Sequence, residues 1–407
     1  MILSCIESGK GILVKKAICI MALCIAAGGI LVLSCAPAAP ATLPDEIPVG
    51  CILATGSAPA WGPNLIKAAQ LAINEINEQG GIEGKQLVLV IEDEGPTAAT
   101  ALLAMHNLID AKNVQVVLGC ASSESVMGAG QYLASKKVPL VSPSATSTDI
   151  SQQSWSKWTF RIPPDDSLQG GVIAKLIKDK GFKKVAILVQ DTVYGRGIEA
   201  MAENFLKGRA DVILSLRYDP SKLSYLAELN AIKDKKPECI LHVGHFEDSA
   251  AVYRQARDLG MENIKWLAAD GAYDMPLDKH IEAAKFMEKA VTGTVPVPDK
   301  ESEVYKRFAS KYRLAYNLEP TIYCDTTYDG INLIALAIRK SNTYDGSTIR
   351  DALASAGQDY HGASGTITFD EQGSRIAGTY GVWKVEMQGT QYVYVMTGET
   401  VNFLKPK

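Results

Sequence analysis

Three groups of residues in this 407-residue chain could do chemistry together. The first is GCASSES at 119–125 and the second SPSATS at 142–147. The third is scattered: Tyr194 after VQD, His245 and Phe246 after LHVG, and Asp270 after WLAA. Ser122, Ser123, Ser144 and Thr146 bring small hydroxyls to a helix start and a tight turn. Hydroxyls and the unpaired N–H groups of a helix start suit an anion such as a carboxylate. Aromatic faces and one acid suit an ammonium flanked by apolar surface, and Trp61, in AWG, adds another ring. Taken singly, each cluster is also what a capped helix, a Ser-Pro turn or an Asp-Gly turn would show. Taken together they describe a clamp for a zwitterion, carboxylate on one side and amine on the other.

Catalytic sets are missing. The five histidines (His106, His242, His245, His280 and His361) form no HExxH or other metal spacing. There is no GxSxG elbow, and GGIEGK (80–85) lacks the spacing of a phosphate loop. GRGIEA (195–200) matches G-x-G-x-x-A at a helix start, but a dinucleotide glycine turn follows its strand almost at once. Here Asp191 to Tyr194 intervene. The chain is therefore read as a binding protein and no enzyme, with no cofactor and no metal.

Four of the eight cysteines (Cys5, Cys19, Cys24 and Cys35) lie near the N-terminus. The others, Cys51, Cys120, Cys239 and Cys324, have no CxxC spacing, which argues against zinc. Most sit in or beside apolar runs, as small core residues do. A Cys51–Cys120 disulfide is left open. The formal net charge of −4 and the absence of a basic stripe argue against nucleic acid as a partner.

The elements that must position these groups alternate. IPVGCIL (47–53), QLVLVIED, VQVVLG and VPLVS read as strands; 64–81, TAATALLAMHNLIDA and ESVMGAGQYLASKK read as helices. Continuous apolar strands alternating with helices predict a parallel sheet covered on both faces. A second series of the same kind follows WTFRIPPDD (158–166), so two α/β lobes are expected. The last third adds helices over 302–316, 326–341 and 347–357, then a hairpin formed by TYGVWKVEMQ and TQYVYVMT. Ligands of open α/β sheets gather at the carboxyl ends of the strands, and the three groups fall at those ends.

The first 34 residues read as a leader. Lys10, Lys15 and Lys16 precede an apolar stretch from Ala17 to Ser34, the pattern of an export signal. VLSC (32–35) resembles a bacterial lipobox, which would make Cys35 the lipidated first residue of the mature protein. An uncleaved anchor is the alternative, since the stretch nears the length of a membrane span. Both place the rest outside the cytoplasmic membrane, behind a Pro/Ala-rich tether at 35–46.

Together these pieces resemble the periplasmic substrate-binding proteins of branched-chain amino acid ABC transporters, the leucine/isoleucine/valine-binding family. The resemblance runs from about Ile47 to Thr397. It is carried by AINEINEQGGIEGKQLVL (72–89), the SS…PLVSPSAT span (122–146), FRIPPDDSLQGG (160–171), VQDTVYGRG (189–197) and TTYDGINLIALAI (326–338). It implies a type I periplasmic-binding-protein fold, with two doubly wound parallel-sheet lobes joined by a three-crossover hinge near 163–166, 291–293 and 375–378. Lobe one would hold 47–163 and 293–376; lobe two would hold 164–292 and 377–407. The resemblance assigns the ligand carboxylate to Ser123, Ser144 (through its N–H) and Thr146, and the ammonium to Asp270. It makes Tyr194 and Trp61 pocket walls and puts His245 and Phe246 at an aromatic position. Cys120 matches one partner of the family's disulfide, but no cysteine stands near Gly95.

The implied function is capture of an amino acid, branched-chain or similarly apolar, and delivery to an ABC permease with its ATPase subunits. The chain is expected to act as a monomer. Aspartate at 270, where glutamate is common, and His245-Phe246, where tyrosines are commoner, depart from the pattern. A ligand of another class (an amide, urea or an aromatic acid) is one alternative, and a sensory ligand-binding domain is the other.

Overall fold

The computed structural model describes residues 42–55 and 62–405. The leader, Cys35 and Trp61 lie outside the described residues.

The first series is β1 (Glu46–Leu53), α1 (Gly62–Glu78), β2 (Gln86–Asp93), α2 (Ala98–His106), β3 (Val117–Gly119), α3 (Ser123–Lys136), β4 (Leu140–Ser142) and β5 (Thr159–Pro164). The second is α4 (Asp166–Asp179), β6 (Lys184–Gln190), α5 (Val193–Leu206), β7 (Asp211–Tyr218), α6 (Leu226–Lys235), β8 (Cys239–Val243), α7 (Phe246–Asp258), β9 (Lys265–Ala268), α8 (Ile281–Ala290) and β10 (Val291–Pro296). Three helices follow: α9 (Glu303–Tyr316), α10 (Cys324–Ser341) and α11 (Gly346–Ala356). The chain closes with β11 (Tyr360–Gly362), β12 (Gly365–Ile367), β13 (Ser374–Arg375), β14 (Ala377–Gln388) and β15 (Gln391–Leu404). No helix among the described residues is long and apolar enough to cross a membrane.

Two sheets result. The six-stranded one has the order β13-β5-β4-β3-β1-β2, all parallel. The seven-stranded one has the order β15-β14-β10-β9-β8-β6-β7. It is parallel from β10 to β7 and antiparallel where β14 pairs with β10 and with β15. Strands β3, β4 and β8 are buried throughout, which is why they read as unbroken apolar runs rather than alternating ones. The first sheet is packed on one face by α1, α9, α10 and α11, through residues such as Leu65, Ile76, Phe308 and Ile334. Its other face takes α2 and α3 through Met105, Val126 and Leu133. Cutting any of these side chains to alanine removes burial and leaves a cavity, at roughly 2–5 kcal/mol each.

The chain passes between the sheets three times. The first passage is short, from Pro164 into α4, and the third lies between β13 and β14. The second comes at 297–302, later than the expected 291–293, because Val291–Pro296 is a full strand of the second sheet paired with β9 and β14.

One buried cation ties the first and third passages together. Arg161 is 0% exposed. Its guanidinium donates to the carbonyls of Thr146 (3.0 Å) and Ser147 (2.7 Å) and to Asp165 Oδ2 (3.1 Å). It also reaches the hydroxyls of Ser151 and Ser374. Lys405, just past β15, contacts Asp165 Oδ2 at 2.6 Å and Asp370 Oδ2 at 2.9 Å. Burial pushes the Asp165 carboxyl up, but Arg161 and Lys405 outweigh it and hold the group below the ordinary carboxylate value.

Candidate functional site

The carboxyl ends of the strands of both sheets face a shared cavity of about 80 Å³, in the measure in which one water needs roughly 10–15 Å³. Its lining includes Ser122, Ser123, Ser144 and Thr146 from the first series and Tyr194, His245, Phe246 and Asp270 from the second. Every sequence-predicted site residue within the described residues is therefore brought to one place.

The hydroxyl side is built by α3 and the turn after β4. Ser122 caps α3, its side chain accepting the Ser125 N–H at 3.1 Å. Ser123 Oγ accepts the Ser147 N–H at 3.2 Å, which leaves its hydroxyl proton to donate. Ser144 donates its hydroxyl to the Ala121 carbonyl (2.9 Å), so that hydroxyl is committed within the protein. Ser142 shapes the turn: it donates to the Cys120 carbonyl (2.6 Å) and accepts the Ala145 N–H (3.1 Å). Thr146 is 3% exposed, and its carbonyl takes the Arg161 guanidinium and the Asp166 N–H (2.9 Å).

The backbone just ahead of α3 is held by an acid. Glu94, just past β2, accepts the Ala121 and Ser122 N–H groups, one on each oxygen, both at 2.9 Å. Burial pushes the Glu94 carboxyl up, and these backbone bonds pull it back toward its charged form. The strand-end reasoning that found Ser122 applies equally to Glu94.

The acid side centres on Asp270, 5% exposed. Tyr194 donates its hydroxyl to Asp270 Oδ1 (2.8 Å) and accepts the Gly271 N–H (3.0 Å). Tyr323 donates its hydroxyl to Asp270 Oδ2. Burial, then the neighbouring Asp270 charge, push both phenols well above the usual value, so both stay protonated donors. The Tyr194 ring stacks on His245, centroids 5.1 Å apart and 9° from parallel. Phe246, Tyr273, Ile322 and Ala121 supply apolar wall. The sequence reading did not single out Tyr323, Tyr273 or Ile322.

Two glycines allow close packing at the site, Gly197 between the halves and Gly271 within the second. A Cβ on Gly197 would stand 2.8 Å from Asp166 Oδ2 and 2.9 Å from Ser147 Oγ. A Cβ on Gly271 would stand 2.7 Å from the Gly244 carbonyl and 3.0 Å from the Tyr194 hydroxyl. Further contacts join the halves: Ser147 Oγ donates to the Val193 carbonyl (3.1 Å), and the Tyr194 N–H to Glu124 Oε1 (3.3 Å).

Among the described residues there is no group of three or more His, Cys, Asp or Glu side chains that could hold a metal ion. Cys51, Cys120, Cys239 and Cys324 are free and buried. Cys51 and Cys120 pack into different cores, one with Leu118 and the other with Ile52 and Val117, so the disulfide left open above is not formed.

The sequence profile of the periplasmic binding protein family matches residues 46–391. A Leu/Ile/Val-binding protein, BraC3, of Rhizobium johnstonii is 24% identical over 346 residues, covering 84% of this chain and 92% of that protein. Among solved structures, the branched-chain amino acid transporter substrate-binding protein LivJ of Streptococcus pneumoniae, in complex with isoleucine, aligns with a TM-score of 0.73 at 26% identity. That alignment covers 86% of this chain and 99% of the other. A solute-binding protein of an ABC transporter from Rhodopseudomonas palustris BisB5, in complex with 3,4-dihydroxybenzoic acid, aligns with a TM-score of 0.74 at 21% identity, covering 89% and 99%. At that identity the likeness speaks for the fold.

Proposed function

This chain belongs to the periplasmic binding protein family, and we propose that it captures an amino acid between its lobes and delivers it to an ABC permease with its ATPase subunits. Membership in a family of solute binders carries an extracytoplasmic location with it. The observation that carries the ligand reading is the pairing across one cavity of the Ser122, Ser123, Ser144 and Thr146 cluster with Asp270. The hydroxyl side suits the α-carboxylate. Asp270, held by two tyrosine hydroxyls, keeps lone pairs for the ammonium. Trp61 joins the walls in this proposal, and Phe246, Tyr273 and Ile322 favour a branched-chain or similarly apolar side chain. The names of the relatives, Leu/Ile/Val-binding proteins and an isoleucine complex, support the same ligand class.

Capture works as a hinged clamp. The ligand meets one lobe first, and closure adds the contacts of the other. Closure excludes water and raises the worth of each charged contact. An analogue without the amine would leave Asp270 desolvated and short of a partner, which is the basis of discrimination. Anchoring through lipid at Cys35 and action as a monomer complete the proposal. The basic flank, apolar stretch and VLSC sequence support the first; mass spectrometry of the mature N-terminus tests it.

The bound dihydroxybenzoate of the Rhodopseudomonas protein favours a second reading, an aromatic acid. Asp270 weighs against it, because that ligand offers no cation. A thermal-shift screen with the twenty amino acids, amides, urea and aromatic acids separates the two. An apolar amino acid is expected to give the largest shift; a shift from aromatic acids alone would overturn the amino acid reading.

A further inference from the structure

Asp166 opens α4 and is 0% exposed. Neither of its carboxylate oxygens has a hydrogen-bond partner. The Thr146 hydroxyl stands near and favours its charged form without reaching hydrogen-bond geometry. A buried carboxylate with nothing to accept from is costly enough that such groups take up a proton instead. Arg161, the cation nearest in the network, is committed elsewhere: its terminal nitrogens go to Thr146, Ser147, Asp165, Ser151 and Ser374.

The surroundings of Asp166 come from both lobes. Its own N–H donates to the Thr146 carbonyl, on the turn that lines the site. Gly197 of α5 packs against both its Oδ2 and the Ser147 hydroxyl. Ser147 in turn donates to Val193 at the start of α5. Separating the lobes breaks that contact and opens the face that covers Asp166. The charged and titratable groups facing it are Asp165 on its own element, Arg161 on β5, Asp270 past β9, Tyr194 on α5 and Tyr380 on β14. Lys405 is spent on Asp165 and Asp370. Burial, then Asp270, push the Asp166 carboxyl well above the ordinary value, and Arg161 offsets this only in part.

We propose that Asp166 makes lobe closure proton-linked: it is a hydrated carboxylate when the lobes are apart and a neutral carboxylic acid, protonated by solvent, when they close on the ligand. This rests on the amino acid reading for its ligand, though not for the closure itself. Asp166 is a positioning residue, acting through Thr146 and the closing face rather than by touching the ligand. The sign follows from linkage. Closure takes up a proton wherever the pH lies above the open-state value and below the closed-state value. Affinity therefore weakens as pH rises through that window, at most about tenfold per pH unit.

Calorimetry near pH 6 with the amino acid that gives the largest thermal shift, in two buffers of different ionisation heat, counts the protons. About one proton taken up per ligand by the wild type, and close to none by D166N with binding retained, is the expected result. No uptake by the wild type, or the same uptake by D166N, overturns the proposal. If D166N does not fold, carboxyl ¹³C resonances of aspartate-labelled wild type replace it. A neutral buried acid must then appear on ligand addition, and its absence overturns the idea. If no amino acid gives any binding heat, the ligand reading fails instead. The closure proposal is then decided by small-angle X-ray scattering of the free protein, where lowering the pH from about 7 to 5 must favour the compact form in the wild type. An unchanged profile overturns it.

Discussion

The Tyr323 hydroxyl, at the start of a helix packed on the first sheet, donates to the Asp270 carboxylate at the end of a strand in the second. One hydrogen bond thus spans the two halves at the site and orients the acid assigned to the ligand's amine. Asp270 also receives Tyr194 from its own side, so losing Tyr323 leaves the carboxylate partly held. Tyr323→Phe is expected to weaken ligand binding by about 1.5–3 kcal/mol, on the order of ten- to a hundredfold. Most of the change should be in the dissociation rate, since it is the closed form that loses a contact. Stopped-flow dissociation of the bound amino acid measures this, and an unaltered rate would rule the latch out.

Replacing the acid itself has a different signature. Asp270→Asn keeps shape and removes charge. Binding of the amino acid should weaken by about 2–5 kcal/mol, while its deaminated analogue should bind no worse than to wild type. Calorimetry with both ligands decides the matter. Equal affinity of wild type and D270N for the amino acid would exclude an amine contact at this position.

Arg161 is expected to matter for stability more than for ligand contact. Arg161→Met takes one of two cations from the buried Asp165, leaving it to Lys405, and removes the guanidinium donor from the Ser147 carbonyl, at about 3 kcal/mol. Arg161→Lys should recover little, because one ammonium cannot reproduce a planar fork spread over five acceptors. Chemical unfolding monitored by tryptophan fluorescence reads both variants. A midpoint for R161K matching the wild type would show the fork to be dispensable.

Stability should also carry the mark of His242. It is fully buried, between Tyr253 (2.9 Å from Nδ1) and Tyr218 (3.2 Å from Nε2), and burial lowers it from 6.5 to about 3. The folded form therefore keeps it neutral while the unfolded chain protonates it below 6.5. Its contribution is whole above 6.5 and is lost as pH falls toward 3, at up to about 1.4 kcal/mol per unit. Burial raises Asp248 and Asp329 to about 6, and these act in the opposite sense, adding stability as pH falls from 6 toward the ordinary carboxylate value. The wild-type curve shows only the net. In His242→Gln the loss of stability between pH 6.5 and 4.5 should be shallower by up to one proton, and parallel curves would contradict the assignment.

The four described cysteines should be silent toward thiol reagents in the native state. Burial, with Glu94 adding to it, pushes Cys51 to about 12, and Cys120 is raised well above the usual value. Thiolate is the reacting form. Colorimetric titration of the protein cut to begin after Cys35 should find almost no reactive thiol until denaturant is added, then four. A count of two in denaturant would mean that a disulfide has formed after all.

Much of this architecture was legible. Strands buried on both faces leave unbroken apolar runs, and the strand-end rule located Ser122, Ser144 and Asp270 before any contact was seen. Helix α8 and strand β10 escaped, because Ala290 runs straight into Val291 with no turn residue to mark the change. That omission also shifted the second passage between the sheets. Tyr323 was illegible for another reason. It adopts a left-handed backbone (φ 65°) with no glycine or asparagine to announce it, and its partner lies 53 residues away. Glu94 was within reach of the same strand-end rule and was passed over as an ordinary acid.

The two close-packed glycines have a practical consequence for anyone wishing to retune this protein as a sensor for a different metabolite. Gly197 sets how near the halves can come, because a side chain there would meet Ser147 of the first half, and Gly271 lets the Tyr194 hydroxyl and the Gly244 carbonyl sit close beside Asp270. Phe246, Tyr273 and Ile322 only contour the wall. A library that varies those three and freezes the glycines would explore new cargo without spoiling the motion that reports it.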